Sequence, residues 1–128
     1  MTAARVLVVE DEPRIAHFLA KALRLDGHEV VVAEDGEVAV FLSLTEPFDA
    51  VVLDLTLPGR SGLDVLTTVH AERPDVPVLM LTGRRSEKDV SLAMYDGAND
   101  YMKKPFDPDE LVFRVEELLT PKARARAG

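Results

Sequence analysis

The chain has 128 residues, no cysteine, and 23 acidic against 15 basic side chains, for a formal net charge of −8. That length suffices for one domain with a real core, while the missing thiols exclude disulfides and thiolate metal sites, and no apolar run reaches the ~18 residues of a membrane helix. Residues 1–119 hold all 23 acids and 12 of the 15 Lys and Arg, a net −11, so this surface repels nucleic acid and any DNA contact belongs to another domain.

The start, Met1-Thr2-Ala3-Ala4-Arg5, lacks the apolar core of a signal peptide, so a cytoplasmic protein is expected. Arg5–Val9 then reads as a strand, an apolar run without polar alternation. A helix follows with Ile15, Phe18, Leu19, Ala22 and Leu23 on its apolar face. Pro13 suits its first turn and Gly27 its end. Strands are predicted again at 29–33, 49–53 and 77–81, with a short one at 101–103. Helices are predicted at 37–44, 63–71, 87–95 and 107–119, the last with Leu111, Val112, Val115, Leu118 and Leu119 as its stripe. Residues 121–128 form a basic linker or tail carrying Lys122, Arg124 and Arg126. Residues 1–120 thus form one α/β domain of five strand–helix repeats, and such a pattern packs as a parallel sheet with helices on both faces.

Open sheets of this kind bind ligands beyond the carboxyl ends of their strands. Those ends carry Glu10 and Asp11 on the first strand, Asp54 on the third, Thr82 on the fourth and Lys104 on the fifth. Carboxylates gathered at one point raise a proton affinity or recruit a cation. With no Cys and no nearby pair of His, the donors are hard oxygens, which suit Mg²⁺ (or Mn²⁺) holding waters and a phosphate. Asp54 would then be the nucleophile for a phosphoryl group, with Lys104 as a point charge and the Thr82 hydroxyl as a hydrogen bond donor.

The segments V-L-V-V-E-D-E-P, D-A-V-V-L-D-L-T-L-P-G-R-S-G, P-V-L-M-L-T-G and G-A-N-D-Y-M-K-K-P-F-D-P-D-E-L, in this order, resemble the receiver domain of bacterial two-component response regulators over residues 4–119. The resemblance implies a doubly wound sheet in the order 2-1-3-4-5. It implies that Asp54 accepts phosphate from a sensor histidine kinase. Asp11, Asp54 and the backbone carbonyl of Thr56 would ligate Mg²⁺, with Glu10 acting through water. Thr82 and Tyr101 match the switch pair, and Lys104, directly before Pro105, matches the family lysine. The bond between those two resembles one that is cis in the family.

L-P-G near Gly59 and K-P-F-D-P-D-E-L-V-F-R-V resemble receivers joined to winged-helix DNA-binding domains, which dimerise through the fourth helix, fifth strand and fifth helix. Asp96, Asp100, Glu110 and Arg114 match that dimer face. Val90 and Pro121 depart from it, standing where basic residues are usual. Gly83 replaces a usual alanine beside the threonine, and Thr56 and Arg84 occupy the two variable positions that tune loss of the phosphate.

Taken singly, each residue has a plainer reading: Asp11 as a helix cap, Thr82 as a strand former, Tyr101 as packing. His17, His28 and His70 read as exposed, and Met80, Met94 and Met102 as core filler. Three rival functions are weaker. A haloacid-dehalogenase-like phosphatase needs an acid where Thr56 stands. A flavin carrier of similar fold would place a phosphate on E-D-E-P, which repels it. A docking module without phosphate chemistry would not need the complete acidic and basic set. The expected protein is a phosphorylation switch rather than a conventional enzyme, with a freestanding receiver as the alternative to a transcription regulator.

Overall fold

A computed structural model of the chain describes residues 3–55, 57, 60–83 and 87–120. Five strands and five helices alternate. They are β1 (Arg5–Val9), α1 (Pro13–Leu25), β2 (Glu29–Ala33), α2 (Gly36–Thr45), β3 (Ala50–Asp54), α3 (Gly62–Glu72), β4 (Val78–Thr82), α4 (Glu87–Tyr95), β5 (Asp100–Lys103) and α5 (Pro108–Leu119). The strands form one sheet in the order β2-β1-β3-β4-β5, and every pair is parallel. This is the doubly wound order expected from the sequence.

The strands are continuous apolar runs because both faces of the sheet are covered. Val6, Val8, Leu79 and Leu81 pack with Leu19, Leu23, Leu111 and Val115 of α1 and α5. Leu7, Val9, Leu53 and Met80 pack on the other side with Ala39, Val65, Leu66 and Ala93 of α2, α3 and α4. A slip of one residue would exchange the two sets, so the register is strongly fixed. Leu7, Leu53, Leu79 and Leu81 are wholly buried, and truncating any one to Ala removes roughly 2–5 kcal/mol.

Local chemistry sets the helix ends. Pro13 opens α1, and Gly27 follows its end with φ of 96°, a left-handed conformation that favours glycine. The side chains of Asp35, Ser61 and Asp107 each accept a hydrogen bond from a backbone N–H in the first turn of α2, α3 and α5. Two strands run one residue later than the apolar runs suggest: Asp54 pairs with Leu81, and Thr82 with Lys103. Both polar residues belong to the ladder, which holds their backbones rigidly at the edge where β1, β3 and β4 end.

Candidate functional site

Val9 and Leu53 are register partners on adjacent parallel strands, so the residues that follow them, Glu10 and Asp54, emerge side by side. Both are buried, at 1% and 4% relative exposure. Asp11, next along the chain, is exposed at the rim. One carboxylate oxygen from each of the three acids lies within 4.8 Å of the others. Lys104 arrives from the far side of the sheet, where its backbone N–H donates to the Thr82 carbonyl at 2.7 Å. The Lys104–Pro105 peptide is cis, as the resemblance implied. Lys104 Nζ stands 3.3 Å from Glu10 Oε1 and 3.3 Å from Asp54 Oδ2, whereas Lys103 is exposed.

Among the described residues, Lys104 thus faces two buried carboxylates, with Asp11 beside them. The imbalance shows in Glu10, whose carboxyl is pushed up to about 7, first by burial and then by the Asp54 charge. The Glu12 N–H, donating to Glu10 Oε2 at 3.2 Å, and Lys104 oppose that rise without cancelling it. Burial works against the Lys104 charge, yet Asp54 and Glu10 outweigh it and raise the lysine above its ordinary value. The Thr82 hydroxyl is buried with no hydrogen-bond partner, and such a group has an unmet demand for an acceptor.

These residues fit a hard divalent cation. The donors are all carboxylate oxygens, the hard ligands such an ion takes, and one from each acid lies within 4.8 Å of the others. Glu10, Asp11 and Asp54 are the residues that would hold it.

Beneath Asp54 the chain turns under a steric constraint. The Gly62 N–H donates to the Leu55 carbonyl at 3.2 Å. A Cβ on Gly62 would lie 2.5 Å from that oxygen and 2.6 Å from the Asp54 carbonyl oxygen. Gly83, beside Thr82, is different: a Cβ there meets nothing within 4 Å. Thr56 and Arg84, expected to tune the site, and Pro121, with the tail 121–128, lie outside the described residues.

Other expected residues lie farther from the acids. Tyr101 is on edge strand β5 at 37% exposure and pairs with Met80, two residues before the level of Thr82. Arg114 of α5 binds Asp100 at 2.9 Å and Glu110 at 3.0 Å within the same chain. Asp96 is not part of that cluster.

Several readings need correction. His17 and His70 are exposed as expected, but His28 is buried at 4%, held by Ala4 and Glu116. Met94 is 39% exposed and does not fill the core. Phe18 is also 39% exposed, because it turns from the α1 stripe towards Phe106, with ring centroids 5.9 Å apart. The two rings, with Arg14, Ile15, Gly83, Lys104 and Pro105, line a cavity of about 510 Å³ beside the lysine. Periodicity alone placed Phe18 on the apolar stripe of the first helix and gave no signal that it would meet Phe106.

The chain matches the model of the response regulator receiver domain over residues 6–116. It is 43% identical over 118 residues to transcriptional regulatory protein TcrA of Mycobacterium tuberculosis, covering 92% of this chain and 47% of the relative. It is 43% identical over 115 residues to DNA-binding response regulator MtrA of Mycolicibacterium smegmatis, covering 90% and 50%. The chain thus spans about half the length of these relatives. A CheY-like receiver domain protein from Methanospirillum hungatei superposes with a TM-score of 0.91 at 27% identity, covering 99% of this chain and all of that one. A response regulator from Chloroflexus aurantiacus gives 0.87 at 35% identity, covering 92% and 98%. By the match over residues 6–116 and the shared fold, this chain belongs to the response regulator receiver domain family.

Proposed function

We propose that Asp54 accepts a phosphoryl group from a sensor histidine kinase, with Mg²⁺ held by Asp11, Asp54 and the Thr56 carbonyl, and by Glu10 through water. The observation that carries this reading is the single lysine placed 3.3 Å from both buried acids. That cation already sits where new negative charge would arrive. Mg²⁺, when bound, supplies the positive charge that lets phosphoryl oxygens enter an acidic site.

The chain's own residues do the rest. A carboxylate oxygen of Asp54 forms the bond to phosphorus as the bond from phosphorus to the donor nitrogen breaks. Lys104 moves its charge from Asp54 and Glu10 towards the phosphoryl oxygens. The Thr82 hydroxyl, now without an acceptor, donates to one of them. As the threonine turns, Tyr101 leaves its part-exposed position and swings inward, altering the surface of α4, β5 and α5. Stored signal, rather than turnover of a free substrate, is the product.

The output is proposed to be transcription, through a DNA-binding domain of the kind named in the MtrA relative, in a cytoplasmic protein that dimerises through the α4-β5-α5 surface. No helix among the described residues is long and apolar enough to cross a membrane. The test is to incubate the protein with Mg²⁺ and acetyl phosphate and look for an acid-stable, base-labile adduct. Asp54→Asn should abolish it. An undiminished adduct in that variant, or none in the wild type together with no spectral response to beryllofluoride, would sink the proposal.

A further inference from the structure

At the opposite end of the sheet, a second titratable cluster joins three elements. Asp26 lies in the turn after α1, His28 just before β2, and Glu116 in the second half of α5. The His28 side chain is wholly buried. Its Nδ1 accepts the Ala4 N–H at 3.0 Å. The neutral ring therefore carries its one proton on Nε2, which donates to Glu116 Oε2 at 2.8 Å. Asp26 Oδ2 is 3.2 Å from the same nitrogen. That oxygen is nonetheless a buried acceptor with no hydrogen-bond partner. Two carboxylates share a single donor, and the cluster is one proton short.

Three donor atoms at this spacing are also what a metal ion could use. The tautomer argues against it. A metal-bound Nε2 would require the proton on Nδ1, facing the Ala4 N–H at 3.0 Å as donor against donor. The neighbouring cations offer no relief. Arg24 donates to the Val30 carbonyl, and Arg5 is engaged by Glu29 and Glu46. Among the described residues, the titratable groups that face Glu116 are thus Asp26 and His28.

We propose that Asp26, His28 and Glu116 form a proton-operated clasp, in which a proton on the carboxylate pair completes the hydrogen bonds and ties the last turns of α5 to the α1–β2 turn. The direction of titration agrees: the adjoining Asp26 carboxylate, then burial, raises the Glu116 carboxyl above its ordinary value. A raised carboxyl contributes stability that is full below the unfolded value and is lost as pH rises through the folded one. The clasp is therefore tight below the unfolded value and loosens as pH rises through the folded one. It operates independently of Asp54.

Glu116→Gln supplies a permanent N–H donor without charge and tests the proposal in the whole chain. The melting temperatures of wild type and variant should coincide near pH 4, below the unfolded value, and diverge by roughly 2–5 °C at pH 8, with the variant higher. Other titrating groups are common to both proteins and cancel in the difference. Amides in the last turn of α5 should exchange more slowly in the variant at pH 8 only. Asp26→Asn should reproduce the pattern and carries the test if the first variant folds poorly. A difference independent of pH would overturn the clasp. So would equimolar Zn²⁺ raising the melting temperature of wild type and not of Glu116→Gln, since that would make the cluster a metal site.

Discussion

Neutralising Glu10 should stabilise the metal-free protein, and only above a defined pH. Its carboxyl is raised from an ordinary 4.5 to about 7, chiefly by burial and by Asp54. At 1.36 kcal/mol for each unit, ionising it in the fold costs up to ~3 kcal/mol more than in the unfolded chain. That balance already includes the attraction of Lys104, so an isosteric Glu10→Gln removes the whole cost where Gln packs as the protonated acid does. The sign follows from the direction of the shift. Stability supplied by the proton is full below 4.5 and lost as pH rises through about 7. Wild type and variant should therefore be equally stable near pH 4 in EDTA, and the variant more stable at pH 8.5. A gain of about 2 kcal/mol would appear as roughly 6–10 °C in the melting temperature. Adding Mg²⁺ at pH 8.5 should stabilise wild type more than the variant, because the ion relieves the repulsion that Gln has already removed. A variant destabilised by the same amount at every pH would refute the reasoning, since Glu10 would then be a structural acceptor and not a strained charge.

Four further outcomes rest on the same geometry. Lys104→Ala leaves two buried acids without their cation and should cost ~1–3 kcal/mol at pH 8, less at pH 5, in urea melts. Gly62→Ala drives a Cβ against two backbone oxygens that cannot rotate away, for a loss of roughly 1–3 kcal/mol. Gly83→Ala meets open space and should change stability by less than about 0.5 kcal/mol, while the added methyl shields the site and slows loss of phosphate in an adduct-lifetime assay. Arg114→Ala releases Asp100 and Glu110 at a part-exposed site, so it should cost no more than ~1 kcal/mol. Its informative readout is sedimentation with beryllofluoride. If the dimer uses Arg114, the variant stays monomeric while the wild type associates.

Much of the fold was readable because burial on both faces leaves a plain mark, the unbroken apolar run, and because helix ends carry local chemistry such as Asp35, Ser61 and Gly27. The site was readable for a related reason. A parallel sheet sends the ends of β1, β3 and β4 to one edge, so strand-tip acids are neighbours whatever lies between them in the chain. What stayed hidden depends on distance. Nothing in the segment Gly27-His28-Glu29 distinguishes a loop histidine from a buried one. The partner that buries His28 is Glu116, 88 positions away. Glu10 is similar: its sequence neighbours predict a carboxylate at a strand tip, but not that Asp54 and 1% exposure hold its proton to about 7. Helix α2 shows the limit in the other direction. Val38, Phe41 and Leu44 have the composition of a core, yet they are exposed at 42%, 64% and 37% along one side, because hydropathy without periodicity cannot say which face the sheet takes. The charges that matter most in this molecule, at Glu10 and at Glu116, are therefore set by contacts between separate elements, and both should be tested by neutral isosteres rather than by truncation.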